Sequence, residues 1–306
     1  MMDSASLNTE FGLAKHLRFE AQDGNILALI DIPGAAQAVV SLFGAQVLFW
    51  RPAHSLQPVL WASSLASYAP TKAIRGGIPV CWPWFGAHPV EPGLPAHGVA
   101  RIRAWRVIAS GLDNDVVMLK FGLNLDQDPL IPQPVGCEVT LRIGATLSID
   151  VRTHNRGQSE FVFTEALHSY FSISNIEAIS VDGLDTRQYL DQLNATAGLH
   201  TQAGSIRFSG ETDRIYLRAE DRCVINDPSW GRRLRIAKHG SQSTVVWNPW
   251  IDKAAAMGDF PNDDWPYMVC VESGNCLTDR ITLQACQSHV TGIRIDVETL
   301  APSPPP

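Results

Sequence analysis

The sequence predicts an all-β fold, a large antiparallel β-sandwich or barrel, and three observations predict it. Leu141, Ile143, Ala145, Leu147, Ile149 and Val151 alternate with Arg142, Gly144, Thr146, Ser148, Asp150 and Arg152, the two-residue period of a strand with one apolar face. Turn residues punctuate the chain at Pro33-Gly34, Asp113-Asn114-Asp115, Asn155-Arg156-Gly157, Asp227-Pro228 and His239-Gly240. No long stretch keeps a 3.6-residue period, so helices are not expected to carry the architecture.

In chain order, strands are expected over 26–32, 36–50, 105–110, 115–123, 141–151, 161–171, 205–209, 213–219, 243–247 and 267–274. Ile281, Leu283 and Ala285 repeat the alternation, and so do Ile293, Ile295 and Val297. The exception is 62–104, which holds the run Arg75-Gly76-Gly77-Ile78-Pro79-Val80-Cys81-Trp82-Pro83-Trp84-Phe85-Gly86. So long an irregular segment, rich in Gly, Pro and Trp, is a poor spacer and points to function. Its tryptophans argue against disorder.

The 306 residues, 45% of them hydrophobic and 18% charged, supply a sizeable core. No linker or repeat divides them, so one domain over 1–306 is expected, with loose termini at 1–10 and 301–306. The net charge of −7 argues against nucleic acid as partner, because phosphate neutralisation needs a basic surface. No apolar window is long enough to span a bilayer, and the polar start lacks a secretory pattern. A cytoplasmic monomer is expected. The six cysteines are scattered without a C-x-x-C pair, which favours free buried thiols over metal binding.

Two ionisable residues sit in apolar strand runs: Glu272 in Tyr267–Gly274 and His168 in Phe161–Phe171. Desolvation penalises charge there, and a carboxylate and imidazole in a semi-dry site form a general base and acid. The plain alternatives are a solvated glutamate on an edge strand and a core histidine bonded to a carbonyl. Alternation turns Glu165 away from His168, so it is a poor partner for that ring. Arg75 before a Gly-Gly pair, and His97 four residues before Arg101, suit an anionic ligand approached closely by backbone. Equally, both arginines could tie the loop to core carbonyls. Asp213 could accept sugar hydroxyls or pair with Arg214, and Trp247 and Trp250 could stack on a sugar or fill the core.

Six motifs in order are specific together. Residues 75–86, His-Gly-Val-Ala-Arg (97–101), Leu-His-Ser-Tyr-Phe (167–171), Asp-Arg-Ile-Tyr (213–216), Val-Trp-Asn-Pro-Trp (246–250) and Val-Cys-Val-Glu-Ser-Gly-Asn (269–275) resemble the glucose-6-phosphate 1-epimerases, within the aldose 1-epimerase group. The resemblance implies a β-sandwich of the galactose mutarotase type that interconverts the α and β anomers of a hexose 6-phosphate. It implies Glu272 as general base and His168 as general acid. Arg75, His97, Arg101 and Asp213 would bind substrate, the two arginines at the phosphate. Neither metal nor organic cofactor is implied. Ala96 stands where some members carry glutamine before the His-Gly pair, which leaves hexose preference open. A mutarotase for free aldoses and a non-catalytic phosphosugar-binding sandwich are the alternatives.

Overall fold

The computed structural model describes residues 2–300 except 71, 124, 126, 127 and 132. The expected loose tail, 301–306, lies outside the described residues. Every pair of adjacent strands is antiparallel. One eight-stranded sheet runs in the order Ser180–Asp182, Arg222–Asp227, Arg232–His239, Ser288–Thr299, Leu147–Asn155, Val135–Ile143, Val116–Leu123, Arg106–Asp113. The other runs Leu199–Thr201, Gln188–Asp191, Thr212–Tyr216, Ser243–Asn248, Met268–Asn275, Glu165–Leu167, Val80–Cys81, with Tyr170–Ser172 also paired to Met268–Asn275. A four-stranded meander (Leu17–Gln22, Asn25–Ile32, Ala36–Ser41, Gln46–Pro52) and the short pair Phe161–Phe163 with Ile281–Leu283 complete it. Alternate residues of these sheets, among them Trp50, Val139, Ile149, Val246, Val271 and Ile295, pack into one apolar cluster. This is the all-β sandwich that the alternation predicts.

Several elements differ from expectation. The alternation over 141–151 conceals a hairpin: Ile143 pairs with Leu147, and Gly144 to Thr146 form the turn. The 36–50 run is likewise two strands, Ala36–Ser41 and Gln46–Pro52. Segment 205–209 supplies only an isolated bridge from Ile206 to Val181. The N-terminus is not loose. Ser4–Phe11 is a helix whose start is capped by the Asp3 carboxylate, which accepts from the Ser6 N–H at 2.8 Å, and Leu7 is buried in the core. Cys286 is exposed, whereas the other five cysteines are buried and free. Among the described residues, no helix is long and apolar enough to cross a membrane.

The 161–171 segment breaks into three short strands, Phe161–Phe163, Glu165–Leu167 and Tyr170–Ser172. Leu167 pairs with Ser273 and Tyr170 with Cys270. The same register therefore sets His168, in the gap between the last two strands, across from Glu272. Met268–Asn275 is an interior strand buried along all eight residues, not an edge. Val269 and Val271 face the main core, while Met268 and Cys270 face a second cluster with Trp61, Tyr170 and Phe260. Glu272 shares that second face.

The 62–104 segment is irregular as expected, apart from Val80–Cys81 and a single 3-10 turn, Ala100–Ile102. Its backbone packs tightly. A Cβ on Gly77, at φ +62°, would stand 2.1 Å from the Val47 carbonyl oxygen.

Candidate active site

Glu272 enters the site from the middle of a sheet, and His168 enters from the strand break opposite. His168 Nδ1 lies 3.4 Å from Glu272 Oε1, with 10% and 1% of the two side chains exposed. The pair is in contact without the alignment of a hydrogen bond, and His168 Nδ1 and Glu272 Oε2 are both buried with no hydrogen-bond partner. Buried polar atoms without partners are rare away from functional sites. The imidazole is fixed from below: it stacks on Tyr170 at 4.6 Å between ring centres and 8° between planes, and its backbone N–H donates to the Pro79 carbonyl at 3.0 Å. The core-histidine alternative fails, because what a carbonyl accepts from is the backbone N–H and not the ring.

Burial pushes the Glu272 carboxyl well above the usual carboxylate range, with Asp213 adding to the shift and Arg101 opposing it. Burial likewise pushes His168 well below the usual imidazole range, reinforced by His97, Arg101 and Arg75. Both shifts favour the uncharged forms, so the resting pair shares one proton, held on Glu272.

Both groups open onto a cavity of about 310 Å³, also lined by Arg75, Phe85, His97, Gln192, Asp213 and Trp247, among others. That is the lower end of the range for small-molecule sites. His97 takes a positive φ of 61° before Gly98. Its backbone N–H donates to the Gly86 carbonyl at 2.7 Å, and the Gly86 N–H donates to its Nδ1 at 3.3 Å. An Nδ1 that accepts leaves the proton on Nε2. Burial, then Arg101 and Arg75, lower His97 to about 3, so the ring is neutral with Nε2–H as donor. Its centre lies 5.6 Å from that of His168. Asp213 accepts from Gln192 Nε2 at 2.6 Å and does not pair with Arg214, whose guanidinium lies over Tyr189.

The two arginines part company. Arg75 lines the cavity, but its Nε and Nη2 donate to the Asp259 carboxylate, each contact at 3.2 Å, and its Nη1 donates to the Tyr170 hydroxyl at 3.1 Å. Arg101 Nη2 donates to the carbonyl of Ala96 in its own loop at 2.7 Å rather than to the core, and its Nε is buried with no hydrogen-bond partner. Trp247 lines the cavity edge-on to His168, whereas Trp250 packs on Trp265 at 4.4 Å. Gln192, Lys253 and Met257 are on the wall without being signalled by any motif, although Lys253 lies three residues past the end of the Val-Trp-Asn-Pro-Trp run.

One group among the described residues could hold a metal ion, and it is this same centre: ligand atoms of His168, Cys270 and Glu272 lie within 4.8 Å of one another. Burial holds the Cys270 thiol well above the usual range, hence protonated, and a thiol is a poor ligand beside a thiolate.

The aldose 1-epimerase family matches residues 27–296, which include every one of these site residues. The chain belongs to the aldose 1-epimerase family. It is therefore an isomerase of the mutarotase kind. Among its relatives is a protein of Escherichia coli (strain K12) named "Putative glucose-6-phosphate 1-epimerase", 35% identical over 272 residues that cover 88% of this chain and 90% of that one. A protein of the same name from Cenchrus ciliaris is 36% identical, covering 77% and 74%. A crystal structure titled as a putative mutarotase from Salmonella typhimurium superposes with a TM-score of 0.87 at 32% identity, covering 94% of this chain and 96% of that one. Galactose mutarotase-like proteins, such as one from Clostridium acetobutylicum at 13% identity and a TM-score of 0.68, share the fold.

Proposed function

We propose that this aldose 1-epimerase equilibrates the anomers of a hexose 6-phosphate, with Glu272 and His168 exchanging protons with the sugar. The observation that carries the reading is the 3.4 Å approach of the two groups at the wall of one cavity. Ring opening removes a proton from the C1 hydroxyl and delivers one to the ring oxygen. Those oxygens are bonded to the same carbon, so acid and base must stand side by side. Glu272 as carboxylate takes the hydroxyl proton while the C1–O5 bond breaks, and protonated His168 supplies O5. C1 then turns about the C1–C2 bond, and the reverse transfers close the ring on the other face.

After opening, Glu272 holds a proton and His168 is neutral. That is also the arrangement favoured by the dry resting site. The pair is thus biased toward the proton positions of the open-chain aldehyde, which lowers the energy of the halfway state. His97 Nε2–H and Asp213 are assigned to sugar hydroxyls, and Arg75 to an oxygen near the reacting end. Arg101 backs the loop through Ala96.

The phosphate is the finer part of the reading, supported by the names of the relatives and by cationic groups on the wall. The engagement of Arg75 with Asp259 favours a second reading, a mutarotase of free aldoses. Equilibration of α-glucose 6-phosphate and of α-glucose, followed by polarimetry, separates them. Faster turnover of the phosphate is expected, and equal rates would favour the second reading.

A further inference from the structure

We propose that Tyr170 is a positioning residue for the proton transfer: its ring face holds the His168 imidazole beside Glu272 and steadies the imidazolium that supplies O5. The inference rests on the proton-exchange reading and deepens it. A histidine is ordinarily oriented by a hydrogen bond to one ring nitrogen, but the buried Nδ1 of His168 has no such partner. Ring contacts take that place. Tyr170 lies parallel beneath the imidazole, at 4.6 Å and 8°, while His97 and Trp247 meet it edge-on at 5.6 Å and 6.3 Å. Tyr170 is itself fixed on several sides. Its backbone N–H donates to the Gly77 carbonyl at 2.9 Å, its ring stacks on Trp61 at 5.8 Å, and its hydroxyl accepts from Arg75 Nη1 at 3.1 Å. Burial holds the phenol proton firmly, so the ring acts through His168 and not on the sugar.

The dry site disfavours the state that ring opening needs. His168 must carry a proton as the C1–O5 bond breaks, yet burial opposes a charged imidazole, and so do His97, Arg101 and Arg75 from the 62–104 segment. On the facing strand, Cys270 stays a neutral thiol, and Glu272 as carboxylate favours the imidazolium from 3.4 Å. Across the cavity stand Asp213 and Lys253, one charge of each sign. The remaining side is the phenol face. An aromatic face is negative and attracts a cation within about 6 Å of its centre, more strongly where water is excluded. Tyr170 meets that distance with its plane turned flat to the imidazole. The stack therefore counters the neighbouring cations at the moment when His168 is charged, and changes little for the neutral resting ring. An interaction that strengthens toward the transition state raises kcat rather than affinity.

The test places phenylalanine and its di- and pentafluorinated analogues at position 170 of the full chain, beside Tyr170→Met and His168→Gln. Fluorination drains the negative face while nearly preserving the ring's shape, so packing is kept. Rates are read on α-glucose 6-phosphate or α-glucose, whichever wild type turns over faster. Tyr170→Phe should keep most of kcat. Each fluorination step should lower kcat, by about 10-fold for the pentafluorinated ring, with KM unchanged, and should move the acid limb of the rate profile to lower pH by roughly 0.5 to 1 unit. Tyr170→Met should match the pentafluorinated protein. If His168→Gln is inactive yet fluorination moves neither kcat nor the acid limb, or Tyr170→Phe already loses as much as Tyr170→Met, the assignment to Tyr170 is overturned while the proton-exchange reading stands. A His168→Gln enzyme as fast as wild type would end both.

Discussion

Asp213 raises the proton affinity of Glu272 from two strands away. Asp213 pairs with Trp247, and Trp247 with Cys270, two residues from Glu272 on the same face. After burial, this carboxylate is the main reason that Glu272 holds its proton. The anomerisation rate should therefore show a broad plateau in pH, bounded below by protonation of His168 and above by loss of the proton from Glu272. Asp213→Asn removes the neighbouring charge and should move the alkaline limb to lower pH, leaving the acid limb in place. Rate profiles of the two proteins check this, and an unmoved alkaline limb would remove Asp213 from the account.

A second buried carboxylate, Glu165, has a structural role that pH should expose. It accepts hydrogen bonds from Thr291 and, at 3.2 Å, from Asn275 Nδ2, with its back to the cavity. Burial raises it from 4.5 to about 7 against the pull of those bonds. The folded state thus binds the proton more tightly than the unfolded chain. Its contribution is fully present below pH 4.5 and is lost as pH rises through about 7. Glu165→Gln keeps an oxygen for both donors and cannot ionise. Relative to wild type it should gain stability across that window, by about 3 kcal/mol at most. Urea unfolding at pH 5 and pH 8 measures the difference, and equal gains at both would contradict the assignment.

Gly98 should tolerate no side chain. At φ +74°, a Cβ would stand 2.1 Å from the Trp82 carbonyl oxygen, which accepts from the Val99 and Ala100 N–H groups. Gly98→Ala should cost about 2 kcal/mol or more and shift His97 with it. A lower urea midpoint together with lower activity is expected. An unchanged midpoint would show that the loop yields.

How much of this was legible depends on what each residue does. Leu141 to Val151 alternate so regularly that Ala145 hides a turn, because a tight hairpin preserves parity. Arg232–His239 escaped notice for the opposite reason. Inward positions are taken by Arg232, donating to the Pro58 and Ser172 carbonyls, and by Lys238, donating to the Ser243 carbonyl. Buried cations satisfied by backbone erase the polar-apolar pattern. Trp250–Ala256 is too short to establish a helical period, so Lys253 was not seen. His168 and Glu272 stood out through their apolar company. The protein partners of Arg75 and Arg101 did not, because the Asp259 carboxylate and the Ala96 carbonyl that engage them are set by folding and carry no local signature.

The most direct test of the proton-exchange pair is the initial rate of α-glucose 6-phosphate equilibration by wild type, Glu272→Gln, His168→Gln and the double variant. Each single substitution should lower kcat by roughly 10²- to 10⁴-fold, with the double variant little worse than the poorer single. Losses that multiply, or a Glu272→Gln enzyme as fast as wild type, would contradict a carboxyl and an imidazole working on one sugar together.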